Sequence, residues 1–455
     1  MTQRRIDLIL ESVRRLLRMG AMPNLLNLLQ KQHPADLAQI FAELPDKERH
    51  AAFNTLVERN GKLAMEALSE LGPEKGGELL SLRSAEEIAR LSQEIPSDDA
   101  AALIESLSDD LQPAVLELIH PKVGGGVSEL LEYEERTAGR LMNPNVFALP
   151  EDATAGEAIT ALQSARDVEM VFYLYVVDER RHLVGVISLR RLLLVAPDTP
   201  LKRIMTTEVY SARVDTAQAE VARQVESYNL LAIPVVDGEN KLAGVITVDD
   251  VIDVIKDEAT EDVFRMAGVS VEDGVLTPPR ESLRRRLPWL IVNLVMAFIA
   301  ASVVKLFSDS ITAVVSLAAF MPVVAAMGGN AATQTLAVIV RGIALGELTW
   351  ANAREALFKE GLVALGTGFA SGLAGCVVVW IMTRGDWMLG VVLLAAMIIN
   401  LFVAAIAGTL IPLGMRALKI DPALASIVFI TTITDVFGFF SFLGLGTLFV
   451  RFLHH

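Results

Sequence analysis

The sequence predicts a multidomain chain: an all-α superhelical N-terminal domain, an α/β pair of repeated halves, and an α-helical membrane domain of five spans. Three observations carry this. At 455 residues the chain is too long for one hydrophobic core. Its charges are segregated: from Arg284 onward there are 11 Lys/Arg and 7 Asp/Glu, a net of +4, while residues 1–283 hold 29 and 48, a net of −19. A set of motifs also recurs, offset by 63 residues at Met142 and Met205 and by 59 at Gly185 and Gly244. The resulting boundaries are 1–134, 135–199, 200–260, a connecting helix at 261–283, and the membrane domain at 284–455.

Residues 1–134 read as short helices punctuated by Pro34, Pro45, Pro73, Pro96 and Pro113. His33-Pro34-Ala35-Asp36 and Gly72-Pro73-Glu74 place proline in a first turn with an acid close behind, where both suit a helix start. Helix pairs of this kind stack into a superhelix. His33, His50 and His120 are scattered and read as structural. Cys376 is the single cysteine, which excludes a disulfide framework and a cysteine zinc site. Met1–Gly20 has no long apolar core, so it reads as an amphipathic helix and the acidic part is expected in the cytoplasm. Acidity argues against nucleic acid as a partner and suits cations.

Each repeated half reads as an opening turn, an amphipathic helix, two β-branched strands joined by a polar turn, and a closing helix. The strands are Leu174-Tyr175-Val176-Val177 with Leu183-Val184-Gly185-Val186-Ile187, and Ala232-Ile233-Pro234-Val235-Val236 with Leu242-Ala243-Gly244-Val245-Ile246. The region resembles a tandem CBS-domain pair over about 135–260. That resemblance implies an adenine-nucleotide ligand whose ribose meets an acid three residues after a Ser or Thr. Thr247 and Asp250 keep the spacing. Ser188 is followed by Leu189, Arg190 and Arg191, so Arg191 stands where the acid would be. ATP is therefore a doubtful ligand, with Thr247, Ser188, Arg190 and Arg191 as its candidate contacts.

The second half closes in Asp249, Asp250, Asp253, Asp257, Glu258, Glu261 and Asp262, balanced within the cluster only by Lys256. Asp250, Asp253, Asp257 and Glu261 follow helical spacing, and like charges at i,i+4 repel by roughly 0.2–0.5 kcal/mol per pair. Two readings stand: a solvated acidic face, or a face that gains when cations bridge it to another acidic surface. Asp98, Asp99, Asp109 and Asp110 of the N-terminal domain supply such a surface.

After Arg284-Arg285-Arg286 come five apolar runs, at about 287–307, 311–340, 356–382, 389–415 and 422–450, each near the ~20 residues a spanning helix needs. The second contains Pro322 and Gly328-Gly329 and is expected to kink or break. With the soluble part inside, the inner flanks carry Arg284, Arg285, Arg286, Arg341, Arg354, Lys359, Arg416 and Lys419, and the outer ones Lys305, Arg384 and Arg451, in line with the positive-inside rule. Asp435 lies about 20 Å along a helix from Pro422. A charge there costs on the order of 3 kcal/mol, which marks it as functional by default. The alternative is a protonated carboxyl bonded to a backbone carbonyl. Thr431 and Thr434 add oxygens. Gly328, Gly329 and Asn330, with Thr333 and Gln334, read either as a cavity lining or as close helix packing. Oxygen ligands with few charges suit Mg2+, which holds its water tightly.

Taken in order, His33-Pro34-Ala35-Asp36-Leu37, Glu132-Tyr133-Glu134-Glu135-Arg136-Thr137-Ala138-Gly139, Glu258-Ala259-Thr260-Glu261-Asp262, Met327-Gly328-Gly329-Asn330 and Thr434-Asp435 make the chain resemble the MgtE family of magnesium channels along essentially its full length. The resemblance implies a homodimer in a bacterial inner membrane, with cytoplasmic N-terminal domains and an extracytoplasmic C-terminus. One pore forms from the second and fifth spans of both subunits, and Asp435 is its selectivity carboxylate. It implies that cytosolic Mg2+ bridges Asp98 and Asp99 to Asp250, Asp253, Asp257, Glu258, Glu261 and Asp262, and that connecting helices at about 264–283 then plug the pore. Two other readings compete: a proton- or Na+-coupled transporter of Mg2+ or Co2+, and a membrane-attached nucleotide sensor. There is no phosphate loop, nucleophile elbow or HExxH, so an enzyme is not expected.

Overall fold

The computed structural model describes residues 3–119, 121–165, 172–270, 273–275, 277–344, 346–418, 420 and 427–453. His120, Pro422 and the side chain of Asp262 lie outside the described residues. The chain divides into two compact units, Met1–Lys256 and Asp257–His455.

The first unit begins with short helices: α1 (Gln3–Arg18), α2 (Met22–Leu29), α3 (Pro34–Glu43), α4 (Asp46–Val57), α5 (Gly61–Leu71), α6 (Pro73–Leu80), α7 (Ala85–Leu91), α8 (Ser97–Glu105), α9 (Leu111–Leu118) and α10 (Pro121–Glu132). Their starts follow from local chemistry. Pro34 and Pro73 occupy first-turn positions, and the side chains of His33, Asn60 and Ser84 accept backbone N–H groups that the helices leave free. Buried Arg49 donates to Phe41 O at 2.8 Å and Leu44 O at 3.1 Å, closing the carbonyl end of α3.

The repeated halves have matching sheets. Strands β1 (Ala148–Pro150), β2 (Tyr173–Val177) and β3 (Leu183–Ser188) lie in that order, as do β4 (Ala212–Arg213), β5 (Ala232–Val236) and β6 (Leu242–Thr247). In each sheet the first pair is parallel, the second antiparallel, and the register shifts at the same place, Val176/Val177 and Val235/Val236. Helices α11 (Ala138–Leu141), α12 (Ala155–Ser164), α13 (Leu189–Leu193), α14 (Gln218–Tyr228) and α15 (Val248–Met266) complete the pair. The halves exchange their opening segments: Asn143 bridges to Val245, and Thr206 to Val186. A Cβ at Gly244 would lie 2.7 Å from Met142 Sδ, and one at Gly185 2.5 Å from Met205 Sδ. Each repeated methionine is thus seated on the other half's repeated glycine. The core of the N-terminal helices continues through Val127, Leu130, Ala138 and Met142 into Val235, Ile246 and Val251 of the second half, while the first half has a separate core around Leu174, Ile187 and Leu192, into which Leu201 from the opening of the second half packs.

The second unit holds five helices long and apolar enough to cross a membrane: α16 (Pro279–Leu306), α18 (Ser316–Ala344), α19 (Ala353–Met382), α20 (Trp387–Ala417) and α21 (Ile427–Leu453), with short α17 (Ser308–Ala313) between the first two. Helix α18 packs on α20 and α21, α19 on α20, and α16 on α21. Leu290, Leu294 and Phe298 of α16 and Phe369, Leu373 and Trp380 of α19 face outward, as lipid-facing positions should. Two expectations are corrected. The second span does not break at Pro322 or Gly328-Gly329; α18 runs through all three, and the interruption sits at Val314–Val315. Nor is 261–283 one connecting helix. Helix α15 ends at Met266, Gly268 turns at φ +68°, and α16 starts afresh with Pro279 in its first turn.

Candidate functional site

Asp435 is part-buried on α21, and no described residue hydrogen-bonds or ion-pairs with it. The bond to a backbone carbonyl that a neutral, structural carboxyl would make is absent among the described residues. Its neighbours are committed to the helix: Thr434 Oγ1 donates to Thr431 O at 2.9 Å, and Thr431 Oγ1 to Val428 O at 3.2 Å. Each hydroxyl keeps lone pairs for a second partner.

Gly328 and Gly329 bring α18 against α21. A Cβ at Gly328 would clash with Asn400 Nδ2 and reach 3.2 Å from Thr434 Cβ, while one at Gly329 would lie 3.5 Å from Thr431 Cγ2. The pair therefore serves close helix packing, not unwinding. Asn330 and Gln334, one turn apart on α18, are exposed. Asn330 joins neither Asp435 nor any other described residue through a hydrogen bond.

Two membrane groups escaped the sequence reading. Asn400 of α20 is fully buried; its Nδ2 donates to Val324 O at 3.0 Å, and its Oδ1 has no partner among the described residues. A buried acceptor left unpaired costs about 1–3 kcal/mol. Glu360 of α19 is buried, accepts from Thr335 Oγ1 at 3.1 Å and pairs with Lys359 at 2.6 Å. A lone amide in the apolar run Met397-Ile398-Ile399-Asn400-Leu401 and an acid beside Lys359 were the available signals.

In the first unit, Asp98 and Asp99 stand in the first turn of α8, and Asp250 in the first turn of α15. All three line a cavity of about 190 Å3, together with Glu105, Arg136, Arg140 and Gln218. Burial, then the charges of Asp250 and Asp99, push the Asp98 carboxyl well above the usual range. Burial pushes Asp250 up to about 6, with Asp249 and Asp253 adding and hydrogen bonds from Thr247 opposing. Asn143 Nδ2 donates to Asp98 Oδ1 at 3.3 Å, and Arg140 pairs with Glu105 at 2.5 Å. Among the described residues no three acids, histidines or cysteines close into a metal cage. Two or three spaced carboxylates suit an ion that retains waters. Farther along α15, exposed Asp253 pairs with Lys256 at 2.6 Å and Glu261 with Arg265. Asp257 and Glu258 make interactions of their own.

The nucleotide candidates have a local explanation. Thr247 Oγ1 donates to Asp250 Oδ2 at 2.8 Å and its backbone N–H to the same oxygen at 3.2 Å, a capping arrangement at the start of α15. Ser188 Oγ accepts from Arg191 N at 3.3 Å, capping α13. Arg190 and Arg191 are exposed.

The family models that match are the MgtE intracellular N domain at 32–136, CBS domains at 138–198 and 201–257, and a divalent cation transporter domain at 321–445. The magnesium transporter MgtE of Bacillus subtilis is 33% identical over 96% of both chains, and that of Thermus thermophilus 33% over 96% of this chain and 97% of its own. That of Enterococcus faecalis is 38% identical over 72% of each. The cytosolic domain of an Mg2+ channel MgtE solved with ATP is 35% identical, covers 54% of this chain and 99% of its own, and superposes with a TM-score of 0.51. With helical domain, CBS pair and five spanning helices matched in order, the chain belongs to the MgtE family of divalent cation transporters.

Proposed function

We propose that this transporter, which is not an enzyme, conducts Mg2+ through the bacterial inner membrane as a homodimeric channel gated by cytosolic Mg2+. The observation that carries the proposal is Asp435, an acid in a spanning helix with no partner among the described residues, beside the tight Gly328–Thr434 contact. A second copy would place two such carboxylates at one pore, lined by α18 and α21, where a hydrated Mg2+ offsets their charge. The named function of the relatives supports Mg2+ as the ion.

The cavity between Asp98 and Asp250 supports the gate. Ionised together, its acids repel across part-buried space; Mg2+ there removes the repulsion and holds α8 to the second CBS half. The proposed gate does not require nucleotide. Although one similar structure holds ATP, Arg191 occupies the usual acid position here. Millimolar ATP should leave Mg2+-dependent protection from proteolysis unchanged; a shift in its midpoint would restore ATP to the mechanism. The decisive test is Mg2+ flux into proteoliposomes, wild type against Asp435→Ala. Loss in the variant is expected, and equal flux would overturn the proposal. Flux should persist with proton and Na+ gradients collapsed; dependence on either would favour a coupled transporter.

A further inference from the structure

The mechanism above makes no use of Asn400. Its amide lies on α20 between Gly328 of α18 and Gly438 of α21; Nδ2 is 2.7 Å from where a Cβ of Gly438 would stand and still nearer that of Gly328. The same Nδ2 donates to Val324 O, one turn before Gly328. Oδ1 is buried without a partner among the described residues. The interhelical bond to Val324 O accounts for the amide's donor, while the buried Oδ1 carries a cost that an apolar side chain in that space would not.

Thr434 and Gly438 are one turn apart on α21, and both are buried. They present the face that meets Gly328 and Asn400. Asp435 follows Thr434 and is turned about 100° from that face. Whatever pins the 434/438 face therefore decides where the carboxylate points. We propose that Asn400 is a positioning residue for the ion path: its amide keys α20 into the two glycines, ties α18 at the turn of Gly328, and sets the rotation of α21 that aims Asp435. This rests on Asp435 being the pore carboxylate.

The test measures Mg2+ and Ca2+ flux through the full chain in proteoliposomes for Asn400→Ala, Asn400→Ser, Gly328→Ala, the Gly328→Ala/Asn400→Ala double variant and Asp435→Ala. A packing loss lowers both fluxes and the thermal midpoint together; a misaimed carboxylate changes their ratio. Both Asn400 variants should lose Mg2+ preference several-fold while eluting and melting as wild type. Gly328→Ala should be nearly inactive, and the double variant more active than it, because the new methyl takes the amide's space. A wild-type ratio in both Asn400 variants with Asp435→Ala inactive overturns the role of Asn400 and leaves the pore carboxylate standing. Wild-type flux in Asp435→Ala removes the pore carboxylate itself. Failure of both Asn400 variants to assemble, or a double variant worse than Gly328→Ala, makes Asn400 a packing residue and defeats the proposal.

Discussion

At the residue scale two acids of the first unit behave unlike ordinary surface carboxylates. Asp98 and Asp250 both have raised carboxyl pKa values, Asp250 to about 6, from burial first. The folded protein therefore binds more protons than the unfolded chain between the ordinary carboxylate value and about 6. The destabilisation is full above that upper limit and fades as pH falls through it. For Asp250 it is on the order of 2 kcal/mol once solvent screening is allowed for. Without Mg2+, acidification from neutral to about pH 5 should raise the thermal midpoint of wild type relative to Asp250→Asn. With saturating Mg2+ that relative rise should shrink, because the ion already offsets the charge. Parallel melting curves for the two proteins at both pH values would refute this. Reading the sequence singled out Asp98, Asp99, Asp109 and Asp110 as a candidate counterpart to the charge-dense helix, and of these Asp98 and Asp99 line the cavity with Asp250. It did not foresee that Thr247 and Asp250 would also be a helix cap, because a cap and a ribose contact share the same three-residue spacing.

At the element scale the repeat explains its own unequal offsets. Methionine and helix start recur at 63 residues (Ala155 and Gln218) and strand and glycine at 59 (Tyr173 and Ala232), so the first half carries four more residues between its helix start and its strand, while Met142 still sits on Gly244 and Met205 on Gly185. Gly244→Val pushes a branched side chain into Met142 Sδ and should cost about 1–3 kcal/mol by overpacking, with a lower thermal midpoint and Gly244→Ala in between. An unchanged midpoint in Gly244→Val would show the seat to be loose. The membrane helices were legible from apolar run length, which is a property of single elements. The break in the second was misplaced because Gly328 and Gly329 are held in the helix by close packing on α20 and α21, and the exposed Pro322 lies in the second turn of α18, close to its start. The stop at Gly268 and restart at Pro279 had written signals, a glycine and a proline, which the run of acids before them obscured.

At the scale of the whole molecule, charge segregation was the strongest clue, and domain order followed from it. Contacts across helices were not legible: Asn400 reaches Val324 across 76 residues and Thr335 meets Glu360 across 25, and no one-dimensional spacing encodes either pairing. The topology we propose, with all five candidate helices crossing the membrane, puts the two ends of the chain on opposite sides. Alkaline phosphatase fused after the last residue should be active in intact bacteria, and a fused green fluorescent protein dark; the reverse would remove a span or flip the domain.

The seating of each methionine on the opposite half also bears on descent. A larger side chain at 244 would have to be answered at 142, and one at 185 at 205, so a change in one half constrains the other. The unit that selection can copy, shorten or transplant is the pair, and a single half carried into another protein would arrive with a methionine lacking its seat and a glycine lacking its cover.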